Sequence, residues 1–350
     1  MRRHDRSGWE RGTAGGLTAP TLTSAADPAD MARMNDIRPR VILHPGPPKT
    51  GTSTLQAWCH LNRAALAAQG VVYASVDTPR DPKHQWLVQG LKRGDVTRLA
   101  AEIAPLRDGR AHTLILSCEG VMTNRVLIPD SAWQQFRQVL TGIDTTLFMV
   151  GRDMDGWLRS LWKQALINPV PLGKPLAVPE FAVFARVPAI RAMIDLDPMA
   201  DLIARNTGAS ARVLTRLDAD FITEFAVLLG LPPDAPMQDA PRINESLPAD
   251  FIAVYARLAR HVDEVWPLRL AVFAAIHAIL PTGNLMVANV ARQFARVPAH
   301  DRDRAVATLQ QAVDAVSFDD SDHRDLASRL ASNAAALRNI LLQDAQPAPR

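Results

Sequence analysis

Short runs of aliphatic and β-branched residues, continuous rather than alternating, recur along this chain at intervals long enough to hold a helix. They are Val41-Ile42-Leu43, Gly70-Val71-Val72-Tyr73, Thr113-Leu114-Ile115-Leu116-Ser117, Thr145-Thr146-Leu147-Phe148-Met149-Val150 and Ala211-Arg212-Val213-Leu214-Thr215. A strand that alternates apolar with polar residues buries one face, whereas one apolar at both parities must be covered on both. Intervening segments of helical length allow parallel pairing through crossovers. The pattern predicts an α/β fold of three layers, a central parallel β-sheet flanked by helices. Composition agrees: of 350 residues, 47% are apolar and 21% charged, which excludes collagen-like, disordered and disulfide-stapled classes.

The domain boundaries follow from changes of texture. Residues 1–38 hold few large apolar side chains and are punctuated by Gly15-Gly16, Pro20 and Pro28, so a disordered leader is expected, with Met31 or Met34 as alternative starts. The α/β domain is expected over 39–247. Beyond Pro248 the pattern turns helical, with stretches near 250–264, 267–280, 302–316 and 323–342, so 248–342 reads as a helical C-terminal region packed on the domain and 343–350 as a flexible tail. The longest apolar stretch, Leu270 to Leu280, is broken by His277 and falls short of the ~20 residues a membrane helix needs. No membrane span is expected. Neither is a nucleic-acid partner, because the net charge is only +3 and no long basic run occurs. Arg2 and Arg3 are followed by no apolar segment, and the two cysteines, Cys59 and Cys118, lack CxxC spacing. A reducing, cytoplasmic location is the expectation. The histidines show no metal-ligand spacing, so no metal is expected.

The segment Pro45-Gly46-Pro47-Pro48-Lys49-Thr50-Gly51-Thr52-Ser53-Thr54 joins the first strand to a helix marked by Leu55, Trp58, Leu61, Ala65 and Leu66. Backbone N–H groups at a helix N-terminus, small residues, hydroxyls and one lysine together make a phosphate cradle. Only five of the 39 basic residues are lysine, which makes Lys49 stand out. Gly46 and Gly51 have the spacing of the nucleotide-triphosphatase loop, but Thr52 occupies the position where that motif requires lysine. A Gly/Pro turn with a capping threonine fits the same residues.

Pro48-Lys49-Thr50-Gly51-Thr52-Ser53-Thr54-Leu55-Gln56 resembles the 5′-phosphosulfate loop of sulfotransferases that use 3′-phosphoadenylyl sulfate (PAPS), especially bacterial members and those acting on carbohydrates. The cytosolic small-molecule branch usually carries tryptophan where this chain has Thr54. A second segment, Gly151-Arg152-Asp153-Met154-Asp155-Gly156-Trp157-Leu158-Arg159-Ser160, is similar to that family's 3′-phosphate motif, an arginine and a serine eight residues apart. An Asp153-capped helix with Arg152 in a surface ion pair also fits it. Arg242-Ile243-Asn244-Glu245-Ser246 resembles an Asn-rich stretch frequent in bacterial relatives, which makes Asn244 a cofactor candidate.

The resemblance covers roughly residues 40–250 and implies a P-loop form of the α/β fold. It implies a PAPS-dependent sulfotransferase that moves a sulfonate group to a hydroxyl or amine, with a carbohydrate or glycolipid acceptor, releasing 3′-phosphoadenosine 5′-phosphate (PAP). Lys49, Thr50, Gly51, Thr52, Ser53 and Thr54 would hold the phosphosulfate, Lys49 also acting in catalysis, and Arg152 and Ser160 would hold the 3′-phosphate. The family's late Gly-rich lysine segment is missing, since no lysine follows Lys174, so Arg205, Arg216 or Arg242 would have to substitute. Two residues near strand ends are candidates for the base: Glu119, in a Ser-x-Glu common in bacterial relatives, and His84, whose ordinary pKa near 6.5 suits proton abstraction. An atypical P-loop kinase or NTPase, or a non-catalytic relative, are the alternative readings, and a homodimer is left open.

Overall fold

The structure is a computed structural model and describes residues 38–79, 81–167, 180–191, 193, 195–218, 220–239, 247–280 and 285–343. Asn244, Arg242, Lys174, nearly all of the leader and the last seven residues lie outside this set. Five strands form one parallel sheet: β1 (Arg40–His44), β2 (Val71–Tyr73), β3 (Thr113–Ser117), β4 (Asp144–Gly151) and β5 (Ala211–Arg216), in the order β2-β3-β1-β4-β5. This is the α/β architecture expected from the uninterrupted apolar runs.

Side-chain parity explains the three layers. Val41, Leu43, Leu114, Leu116 and Leu147 point to one face, where they pack with Trp86, Leu91, Trp133, Phe136 and Ile203. The helices supplying that cover are α2 (Gln85–Arg93), α3 (Asp130–Val139) and α5 (Leu196–Thr207). Ile42, Ile115, Phe148 and Val150 point the other way, against Leu55 and Trp58 of α1 (Thr52–Leu61) and Phe221 and Phe225 of α6 (Phe221–Leu229). Each face of the sheet therefore has its own apolar cover.

The C-terminal helices are α7 (Ala249–Leu258), α8 (Val265–Ile279), α9 (Leu285–Arg296), α10 (Ala299–Ala315) and α11 (Ser321–Gln343), with α4 (Met154–Ile167) leading toward them from β4. Every residue from Leu268 to Ile276 is buried, and apart from Arg269 the stretch is apolar, because its neighbours surround it. Leu166 of α4 belongs to the same apolar cluster, and Trp162 packs against it. One helix thus starts at the C-terminal edge of the sheet and ends in the helical layer. Two boundaries differ from the expected ones. The stretch predicted over 250–264 stops at Leu258, and α8 begins at Val265 with Pro267 in its first turn, where proline costs no hydrogen bond. A helix at α9 was not anticipated, although Val287, Val290 and Phe294 carry its buried stripe. Among the described residues no helix is long and apolar enough to cross a membrane.

Phe148 is fully buried, with its ring 4.7 Å from Phe225 and 6.0 Å from the His44 ring. Truncation to alanine leaves a cavity between sheet and helix that neither can close. Phe148→Ala is expected to cost about 3–5 kcal/mol of stability, read as a lowered denaturant midpoint with unchanged slope.

Candidate functional site

In a parallel sheet all C-terminal strand ends share one edge, and ligands bind in the crevice where the strand order reverses. Here that crevice lies beside β1, with β3 on one side and β4 on the other. Residues 45–51 fill the space between the end of β1 and the start of α1. The turn is tight: Gly46 has φ of +111°, Lys49 +68° and Gly51 +81°. A left-handed lysine is disfavoured and persists only when its surroundings over-determine it.

Those surroundings are specific. Thr50 Oγ1 donates to the Pro47 carbonyl at 2.7 Å, and the Trp157 indole Nε1 donates to the Pro48 carbonyl at 2.8 Å. A Cβ on Gly51 would lie 2.7 Å from Leu217 Cδ1, so the chain leaving β5 closes over the turn. On the β3 side, a Cβ on Gly46 would lie 3.3 Å from Glu119 Cβ. The N-cap of α1 is Gly51, which has no side chain to cap the helix. Thr52 is buried at the start of α1, and Ser53 and Thr54 are half-buried beside it. The Thr50 side chain differs from the expectation: its hydroxyl is buried and spent on Pro47, so it shapes the loop, and only its backbone N–H can serve an anion.

Lys49 is the electrostatic centre of the turn. Burial, with repulsion from the nearby Arg152 guanidinium, holds its ammonium below the usual lysine value, and the Glu119 carboxylate acts in the opposite sense. Lys49 Nζ makes no hydrogen bond or ion pair with the described residues. Arg152 follows β4 directly and is exposed, with Nε 3.5 Å from Asp153 Oδ2. Asp153 also accepts from the Gly156 amide at 2.6 Å, capping the first turn of α4. The helix cap is present, and Arg152 beside it lies within electrostatic reach of Lys49. Ser160 lies half-buried on α4, one turn beyond Gly156 and Trp157.

Glu119 follows β3 and is half-buried. Its Oε2 accepts from Gln56 Nε2 at 3.1 Å, and the same nitrogen lies 3.1 Å from Ser117 Oγ. Ser117 Oγ in turn lies 2.8 Å from His44 Nδ1. Burial lowers the His44 pKa to about 3, so its ring is neutral beneath the loop. Lys83 also approaches: although burial opposes its charge, its 2.9 Å pairing with Asp81 and the Glu119 carboxylate hold it above the usual lysine value.

His84 does not have the freedom expected of a base. It is fully buried; Nδ1 accepts from the Ser117 amide at 2.7 Å and Nε2 lies 3.1 Å from the Ala74 carbonyl. These partners require the neutral ring with its proton on Nε2. Its own amide donates to Ser117 O at 2.9 Å, so the residue ties the chain after β2 to the end of β3. Burial lowers its pKa to about 4. Of the two base candidates, Glu119 alone stands at the loop with an oxygen unshared among the described residues. Gln56, Trp157 and Lys83 were not singled out. Gln56 was visible as the residue one helical turn after Thr52, but nothing in the sequence says that it faces β3.

Comparisons with protein-family models, with characterised proteins and with solved structures return no match. The geometry of the crevice therefore carries the functional reading.

A histidine buried in neutral form binds its proton more readily in the unfolded chain, so stability rises with pH between the two values. For His84 the window runs from its folded value of about 4 up to the ordinary 6.5. Stability is complete above that window and is lost as pH falls through it. Going from pH 7 to pH 5 is expected to cost about 2 kcal/mol from this residue. Urea titrations at the two pH values, on wild type and His84→Gln, check this. The variant starts lower and loses less.

Proposed function

We propose that this protein is a PAPS-dependent sulfotransferase acting on a hydroxyl or amine, with carbohydrate or glycolipid hydroxyls as the expected acceptor class. The observation that carries the reading is the pairing of two cations at the loop: Lys49, half-buried and without an ion-pair partner among the described residues, feels the charge of Arg152. Two like charges at one edge of the sheet, one in the turn after β1 and one directly after β4, favour a ligand bearing two separate anionic groups. PAPS is such a ligand, with a 5′-phosphosulfate and a 3′-phosphate.

In this reading Lys49 and the amides of Thr50, Gly51, Thr52, Ser53 and Thr54 hold the phosphosulfate, and Arg152 with Ser160 holds the 3′-phosphate. When bound, PAPS supplies the sulfonate: the acceptor oxygen bonds to sulfur while the bond to the 5′-phosphate oxygen breaks, leaving its electron pair on PAP. Lys49 stabilises the charge that accumulates at the phosphate end of the loop. Glu119 takes the acceptor's proton. Asp153 keeps Arg152 aimed and α4 in register, while Trp157 ties that helix to the loop. The two cysteines, both buried and unpaired, suit a reducing, cytoplasmic setting.

Calorimetric titration with PAP tests this directly. Wild type is expected to bind, and Lys49→Ala and Arg152→Ala are each expected to weaken binding by roughly 10- to 100-fold, the value of a charge-assisted hydrogen bond. Both variants should keep the wild-type circular dichroism spectrum. Wild-type protein that gives no heat with PAP overturns the proposal.

A further inference from the structure

Gln56 is 2% exposed and stands on α1, the same helix whose N-terminus carries the phosphate-type loop. Its amide is placed between two acceptors from another strand's end: Ser117 Oγ and Glu119 Oε2, each at 3.1 Å. A carboxylate only accepts, so the nitrogen of the amide must face Glu119, and its two hydrogens are then both spent. With Ser117 Oγ accepting from Gln56, the serine hydroxyl is free to donate to His44 Nδ1 at 2.8 Å. His44 is itself buried at the end of β1.

The consequence is a fixed carboxylate. At its root, Glu119 packs against Gly46, where a Cβ would stand 3.3 Å from Glu119 Cβ and 3.4 Å from its Cα. At its tip, Oε2 is held by Gln56, which leaves Oε1 to accept a proton. The tip of this side chain is thereby held by the helix that also follows the loop. Movement of α1 would shift loop and carboxylate together.

We propose that Gln56 is a positioning residue that holds Glu119 in the orientation needed to take the acceptor's proton, with Ser117 and His44 completing the support beneath it. This rests on the sulfonate-transfer reading given above. Gln56 itself touches neither the loop anion nor the acceptor. Its removal should therefore slow turnover without weakening nucleotide binding, because a misaligned base loses rate steeply with displacement.

The test uses the full chain with radiolabelled PAPS, water and a panel of sugar and aryl alcohols as acceptors, and compares Gln56→Leu, Glu119→Gln and the double variant. PAP affinity and the KM for PAPS are expected to stay within about twofold of wild type in Gln56→Leu, while its kcat falls at least about tenfold. The double variant should be no slower than Glu119→Gln alone, since a residue acting only through Glu119 has nothing left to position. A merely structural glutamine would slow the double variant further. That additive result, or a wild-type kcat in Gln56→Leu, overturns the role given to Gln56 and leaves the transferase reading intact. Wild-type protein that consumes no PAPS with water or any acceptor overturns both.

Discussion

The arrangement at the sheet's edge depends on a lysine held in a left-handed backbone conformation between β1 and α1. Lys49 at φ +68° is unfavourable by itself, and the neighbouring strand ends contribute to holding it there. Trp157 from α4 grips the Pro48 carbonyl, Glu119 lies against Gly46, and Leu217 and Phe221 cover Gly51. The loop is therefore a product of the tertiary fold and not of its own Gly/Pro content. The cost of placing the cation in this conformation is met on folding by the packing around it.

Much of the fold was legible because burial on both faces leaves an unmistakable pattern. Ile42 and Leu43 belong to different apolar clusters, one on each side of the sheet, so the centre of β1 is apolar at both parities. The positions of Lys49, Glu119 and Arg152 were also legible, since each follows an apolar strand and strand ends in a parallel sheet converge. What was not legible depends on the direction of side chains across elements far apart in sequence. His84 resembles a free histidine at a helix start, yet the return of the chain past β3 buries it against Ser117 and Ala74. Thr50 reads as a ligand hydroxyl, yet the tight turn brings Pro47 within its reach first. Gln56 and Trp157 read as ordinary helix residues until α1 and α4 are packed against their neighbours.

The helical layer is tied to the same edge through α4. Asp153 caps its first turn beside Arg152 by accepting from the Gly156 amide, Trp157 touches the loop, and Trp162 and Leu166 end in the core formed around α8. Within the α/β layers, the three candidate groups are organised by two braces, the indole of Trp157 and the amide of Gln56, each reaching from a helix to a different strand end.

The central claim is that Lys49 and Arg152 together select a nucleotide carrying phosphates at both its 5′ and 3′ positions. The most direct measurement is the dissociation constant of wild-type protein for PAP set beside those for adenosine 5′-monophosphate and for ATP with magnesium. A second charged contact is worth roughly tenfold or more, so PAP should bind at least that much more tightly than the monophosphate and more tightly than ATP. Equal affinity for PAP and the monophosphate, or preference for ATP with magnesium, would contradict the account.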